Sequence, residues 1–143
     1  SGRTKHFINA FGEELIVENA EKAISLACEK TGSLVKEFTA APVHMDDKEA
    51  GAHEWAVEFD QEPSDLEYFT VMLDNALKSV NSDYEAKRYL NKVLQMPRMH
   101  HVPKGTFYNW MSQRGKLGGQ NKVPRLSNSR EYLESILVVA SKS

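Results

Sequence analysis

The chain cannot form an internal disulfide, because Cys28 is its only cysteine. A lone thiol favours a reducing compartment, and a cytoplasmic location is the expectation. No apolar run approaches the roughly 20 residues needed to span a bilayer, so no membrane partner is expected. The start, SGRTKHF, has neither a Met nor the apolar segment of a signal peptide. Patterned sequence follows at once, as in a piece cut from a longer polypeptide. Metal-ligand spacing is also missing. His100 and His101 are adjacent and so cannot share one face of a regular element, and no Cys or acid lies nearby to complete a set. No metal is expected. Neither a Gly-x-Ser-x-Gly elbow nor a defensible Ser/His/Asp set occurs. A Walker A loop is absent as well. Its order is Gly, four residues, then Gly-Lys and Ser or Thr, whereas here Gly115-Lys116 comes first and Leu117 follows.

Negative charge is missing from a long window. Between Ala86 and Arg130 there is no Asp or Glu, yet ten Lys or Arg fall there, while 18 of the 20 acids lie in residues 1–85. The formal net charge of −2 therefore conceals a sequence polarised along its length, and polarised charge steers anionic partners. The window culminates in RGKLGGQNKVPR, residues 114–125, with four cations, three glycines and two amides. Glycines let a backbone approach a ligand closely, and Lys and Arg bring positive charge to that approach. The loop suits a phosphate or a carboxylate. The bland alternative is a flexible basic surface loop, against which Pro124 argues by fixing the exit geometry. A pI near 6.2 speaks mildly against a dedicated nucleic-acid binder.

At 143 residues, with 41% apolar and 27% charged residues, the chain is most simply one soluble domain. Lys5 to Leu15 reads as strand, turn near Gly12 and short return strand. Apolar residues at 16, 20, 23, 24, 27 and 28 have helical spacing, stopped by Gly32. That spacing puts Cys28 on the apolar face, as a core residue. Val35 to Met45 reads as a strand interrupted late by Pro42. Asp46 to Glu49 with Gly51 reads as a solvated turn. Ala52 to Asp60 alternates, with Trp55, Val57 and Phe59 on one side and Glu54, Ala56 and Glu58 on the other, which predicts a half-buried strand. Ser64-x-x-Glu67 and Ser82-x-x-Glu85 are capping boxes opening helices. Val93 to Val102 reads as a strand punctuated by Pro97 and Pro103. Thr106 is expected to cap a short helix with Phe107, Trp110 and Met111 inward and Tyr108 exposed. Asn128-x-x-Glu131 opens a last helix. The fold class expected is α+β, a small mixed β-sheet flanked by helices.

Ordered motifs carry a resemblance. Gly2-Arg3, then His6-Phe7-Ile8-Asn9, then Gly12-Glu13-Glu14-Leu15 resembles the start of the C-terminal domain of the auxin-responsive (Gretchen Hagen type) acyl-acid amido synthetases of plants and their bacterial relatives. More distantly it is similar to the Gly-Arg hairpin of the wider adenylate-forming superfamily. Gly118 to Arg125 resembles the Lys-x-Pro-Arg end of that domain's basic loop, and Asn81-Ser82-Asp83-Tyr84 with Tyr-x-x-Lys-Arg at 84–88 fits the same pattern.

The resemblance implies a ligase, of the bacterial type, that joins a carboxylic acid to ATP, giving an acyl-adenylate and pyrophosphate. The acyl group then passes to an amine or amino acid, with release of AMP. ATP, with Mg, would be bound mainly by an N-terminal adenylation domain of the same polypeptide. Residues 1–143 would be the C-terminal lid, with 1–15 a hinge-proximal hairpin and 114–125 the basic Gly-rich loop. Alone it is expected to be inactive. Lys122 is the expected catalytic cation, with Lys116 second. Arg125, Gly118, Gly119 and Asn121 would contact nucleotide or shape the loop. Arg3 would lie at the hinge, and Asn9 and Gly12 would face the cleft in the other lid position. No nucleic-acid partner is expected. The competing hypotheses are an RNA- or single-stranded-DNA-binding module, or a non-catalytic interaction module, using the basic residues 86–130.

Overall fold

The computed structural model describes residues 6–45, 50–115 and 122–142. The elements run β1 (Phe7–Ile8), β2 (Leu15–Ile16), α1 (Val17–Thr31), β3 (Leu34–His44), β4 (Gly51–Gln61), α2 (Leu66–Val80), α3 (Ser82–Arg88), a 3-10 turn (Tyr89–Asn91), β5 (Arg98–Val102), α4 (Thr106–Gly115) and α5 (Glu131–Ser141). β1 and β2 form the small opening hairpin, turned through Gly12 at φ 89°. β3, β4 and β5 form a mixed sheet, antiparallel between β3 and β4 and parallel between β4 and β5. The segment after Lys122 extends this sheet: Ala40 N–H donates to the Arg125 carbonyl at 2.9 Å, and Ser127 N–H donates to the Ala40 carbonyl at 3.2 Å. The α+β architecture, a small mixed sheet flanked by helices, is as expected.

The sheet is the middle layer of three. Trp55, Val57 and Phe59 face α1 and α2 and pack with Ala23, Ile24, Phe69 and Leu73. Ala41 and Ala56 face the other way and pack with Phe107, Trp110, Leu133 and Ile136 of α4 and α5. β4 is therefore covered on both sides, not half-buried. Its central acids, Glu54 and Glu58, are not solvated, whereas Asp60 near its end is exposed. Glu58 is 1% exposed and lies under the start of α4, accepting from Gly105 N–H at 2.9 Å and Phe107 N–H at 3.0 Å. A carboxylate there meets orphan donors and the positive end of the helix dipole. It does the work expected of Thr106, whose hydroxyl instead donates to the Pro103 carbonyl. Glu58→Ala is expected to cost roughly 2–3 kcal/mol by stranding two buried donors. Urea unfolding checks this, and Glu58→Gln should recover part of the loss.

Other boundaries shift too: the strand expected from Val93 begins only at Arg98, and the helix caps move by a residue. Asp65, not Ser64, caps α2 by accepting from the N–H groups of Glu67 and Tyr68, and Asn81, not Ser82, caps α3 by accepting from Tyr84 N–H. Asn128 is drawn away from α5, where Ser129 Oγ accepts from Glu131 N–H. Met111 is 36% exposed rather than inward. β3 runs through Pro42, which lies beyond the part of its outer edge that pairs with residues 125–127. The tip at 46–49 lies outside the described residues.

The opening hairpin is bolted to the domain. Ile8 and Leu15 are fully buried. The buried Glu13 carboxylate bonds His53 Nε2 at 2.5 Å with one oxygen and accepts Phe11 N–H with the other. The Phe11 ring occupies the space over Gly51, where a Cβ would stand 2.2 Å from Phe11 Cζ and 2.4 Å from the Val43 carbonyl oxygen. Gly51→Ala should destabilise the domain by about 1–3 kcal/mol through overpacking and loosen the hairpin. Hydrogen exchange at the Ile8 and Phe11 amides is the measurement, and unchanged protection would contradict this.

Candidate functional site

Lys122 begins a segment that is nailed down at once. Val123 is 8% exposed and joins the α4–α5 core. The Pro124 carbonyl accepts from Thr39 Oγ at 2.7 Å, and Leu126 is fully buried. The backbone next to the lysine is thus fixed against the edge of β3. The Lys122 side chain itself is exposed and makes no ion pair with a described residue. An ammonium on an anchored stem, without an internal partner, is available to an outside anion.

Arg125 differs. Its Nε donates to Glu37 Oε1 at 2.7 Å, and its Nη1 to Glu21 Oε2 at 2.6 Å. Its guanidinium also lies 4.9 Å from the centroid of the Phe38 ring. Burial favours losing the proton, but the two carboxylates outweigh it and raise the guanidinium above its ordinary value. Arg125 holds the loop exit to α1 and β3. A phosphate would have to displace two carboxylates.

Asn9 and Asn128 bond reciprocally. Asn9 N–H donates to Asn128 Oδ1 at 3.1 Å, and Asn128 Nδ2 donates to Asn9 Oδ1 at 3.0 Å. His6, Phe7 and Pro124 line one depression. The opening hairpin and the end of the basic loop, far apart in sequence, are therefore neighbours. Gly12 N–H donates to the Asn9 carbonyl at 3.1 Å, and a Cβ at Gly12 would stand 3.1 Å from both Cε and Nζ of Lys87. Arg3, Lys116, Gly118, Gly119 and Asn121 lie outside the described residues.

Folding offsets part of the charge polarity along the sequence. Arg88 pairs with Asp74, Arg125 with Glu21 and Glu37, and Arg130 with Glu54 at 2.8 Å. The basic stretch thus meets the acidic one across the fold. Among the described residues no group of three or more His, Cys, Asp or Glu could hold a metal, and no helix is long and apolar enough to cross a membrane.

Beside Lys122 runs a groove of about 170 Å³, lined by Lys36, Glu37, Phe107, Tyr108, Trp110, Met111, Lys122 and Val123. The spacing of Phe107 and Trp110 placed them in the core, which they join. That they also floor a surface groove was not legible, because Lys36 and Val123 reach it from distant parts of the chain. A wider depression of about 690 Å³ lies over the opening hairpin, where the described lining residues include His6, Asn9, Glu14 and Glu18.

A three-layer α+β domain of this kind recurs in solved acyl acid amido synthetases. The domain matches GH3.15 acyl acid amido synthetase with a TM-score of 0.71 and 18% sequence identity, over 94% of this chain and 25% of that one. A structure described as AtGH3.15 acyl acid amido synthetase in complex with 2,4-DB matches with a TM-score of 0.70 and the same identity and coverage. The chain thus spans about a quarter of the length of these solved structures. Residues 18–131 match the GH3 family C-terminal domain, and the chain belongs to that family. No curated protein matches it.

Proposed function

We propose that this domain works as the mobile C-terminal part of an ATP-dependent acyl-acid amido synthetase in the cytoplasm. Its partner would be the N-terminal adenylation domain of the same polypeptide. The exposed Lys122, with no ion-pair partner among the described residues and on a rigidly anchored stem, carries this proposal. ATP would supply the adenylyl group that activates the acid, and its binding residues would lie chiefly in the N-terminal domain, together with Mg.

The donors here fit a phosphate contact through the Lys122 ammonium, since Arg125 is already engaged by carboxylates. In the first half-reaction the carboxylate oxygen bonds to the α-phosphorus and the bond to pyrophosphate breaks. Negative charge gathers on the phosphoryl oxygens, and the Lys122 ammonium would stabilise it. In the second, a neutral amine attacks the acyl carbon, the bond to AMP breaks with its electron pair on AMP, and the nitrogen gives a proton to water. The Asn9–Asn128 link would carry the opening hairpin and the Lys122 segment as one body through any domain rotation.

The test separates the two steps in the full-length enzyme. Lys122→Ala should depress acid-dependent pyrophosphate release while largely sparing amide formation from preformed acyl-adenylate. Equal loss in both steps would remove Lys122 from this role.

A further inference from the structure

We propose that His100, oriented by Glu54, is the general base of the second half-reaction and takes the proton that the attacking amine gives up. This role rests on the amido-synthetase proposal above. The two side chains come from neighbouring strands: His100 of β5 stands in register with Ala56, two residues from Glu54 on the same side of β4. His100 Nε2 meets Glu54 Oε2 at 2.5 Å. The other Glu54 oxygen, Oε1, lies 2.8 Å from Arg130 Nη2. Arg130 is itself held, with Nη1 on the Pro42 carbonyl and Nε on Glu134, both at 3.0 Å. Burial opposes the Glu54 charge, but the hydrogen bonds and charges of His100 and Arg130 outweigh it and keep the carboxyl below its ordinary value of 4.5. A carboxylate therefore fixes the ring with its Nε2 proton inward. Nδ1 has no hydrogen-bond partner among the described residues, and the side chain is 41% exposed. A base that is oriented in turn by a third group is the signature of proton-transfer catalysis, and an imidazole changes charge near neutral pH.

Two other histidines show what a structural role looks like in this domain. His53 sits on Glu13 with both side chains fully buried, where no amine could reach it. His101 lies on the other side of β5, edge-on to the Phe59 ring, with Nε2 3.9 Å from Glu62, beyond a hydrogen bond. The charged groups about His100 are Glu54 on β4 and Arg130 and Glu134 at the start of α5. Two carboxylates against one guanidinium leave a net negative charge to balance an imidazolium once it forms.

Position separates this base from Lys122. Arg130 reaches Pro42 near one end of β3, whereas Lys36, six residues away along the strand, lines the groove beside Lys122. At about 3.3 Å per residue that is roughly 20 Å. Asn128, two residues before Arg130, bonds Asn9, so the dyad lies at the end of the sheet that carries the opening hairpin. Domain rotation would bring the Lys122 end to the α-phosphate for adenylation and the His100 end to the acyl-adenylate for amide formation. There the amine nitrogen bonds to the acyl carbon, the bond to AMP breaks with its electron pair on AMP, and the nitrogen's proton passes to His100 Nδ1 instead of directly to water. Exposure then lets the imidazolium return that proton to solvent.

The experiment follows single turnovers of the full-length enzyme. Acid-dependent pyrophosphate release over a panel of aryl and alkyl carboxylates finds the acid, and AMP release from the preformed acyl-adenylate over the proteinogenic amino acids finds the amine. His100→Gln should slow amide formation about 10²-fold, the lower end for general base catalysis, and leave pyrophosphate release unchanged. Imidazole added to His100→Ala should raise its rate of amide formation about tenfold, which no structural role would allow. Nitrogen NMR of the ring in the 143-residue chain gives a readout apart from activity. Neutral His100 should carry its proton on Nε2, and Glu54→Ala should mix the two tautomers. Unchanged amide formation in His100→Gln, no rescue by imidazole, or a neutral ring protonated on Nδ1 overturns the proposal. If the wild-type enzyme releases no pyrophosphate with any acid, the ligase proposal falls and the base role with it. If pyrophosphate release is normal and amide formation ignores His100, the base role alone falls.

Discussion

Asp74→Ala is expected to destabilise the domain by about 3–5 kcal/mol, the usual cost of removing one partner from a buried ion pair. For a domain of this size that lowers the thermal midpoint by roughly 10–20 °C. Asp74 is 1% exposed and accepts both forks of Arg88, at 2.8 Å each, and the Tyr84 hydroxyl at 2.6 Å. Without it, the Arg88 charge stays buried and uncompensated. Arg88 has a second task. Its Nη1 donates to Asn91 Oδ1 at 2.5 Å and to the Leu94 carbonyl at 3.2 Å. These bonds brace a turn in which Leu90 and Asn91 adopt φ of 55° and 57°, a left-handed conformation costing about 1–2 kcal/mol per non-glycine residue. Removing Asp74 frees Arg88 and lets this turn relax, so hydrogen exchange should quicken at Leu94 as well as in α3. The double variant Asp74→Leu/Arg88→Met should recover much of the loss, since apolar replacement of a whole buried pair is often neutral or better. A double variant no more stable than Asp74→Ala would contradict this account.

The same pair sets an acid limit. Burial would raise the Asp74 carboxyl, but hydrogen bonds from Arg88 and Tyr84, with the charges of Arg88 and Lys78, bring it below its ordinary value of 3.8. A carboxyl whose folded pKa is depressed contributes stability that is complete above the unfolded value. That contribution is lost as pH falls through the folded one. Wild type and Asp74→Asn should therefore differ by a constant amount at neutral pH, and the gap should narrow only below about pH 4. Burial pushes the Tyr84 phenol, aided by the Asp74 charge, well above its ordinary range, so it stays a donor throughout.

Lys122→Ala in the full-length enzyme should lower the adenylation rate by roughly 10²–10³, the usual cost of losing one preorganised donor to a developing oxyanion. Stability should barely move, because the side chain is exposed and touches no described carboxylate, and surface substitutions of this kind typically fall within about 0.5 kcal/mol. The combination of a large rate loss and an unchanged melting curve distinguishes chemistry from misfolding. Lys122→Arg should recover only part of the rate, since a wide planar fork does not replace a point charge at the same reach. A variant that melts early and loses both half-reactions together would make the residue a structural one.

The segments that the sequence made plain are those governed by local rules. α1 ends where Gly32 supplies φ of 67°, and α2 buries Phe69, Leu73 and Leu77 at the expected spacing. The hairpin turns at Gly12 for the same reason. The motifs likewise sufficed for the family, because order and spacing along a chain are one-dimensional facts. Acids on one side of a strand read as solvent-facing only while their partners are unknown. Glu58 waits for α4 and Glu54 for Arg130 and His100, and all three partners come from more than forty residues downstream. Charge behaves the same way. By itself the sequence determined which segments are helix, strand and turn, and which family they make up. Tertiary structure alone decided that β4 is central, that most of the arginines of the basic half are already paired, and that Lys122 is exposed beside an aromatic groove. The reason is that a charge or an apolar ring is defined energetically by what surrounds it, and in this domain those surroundings are assembled from both ends of the chain.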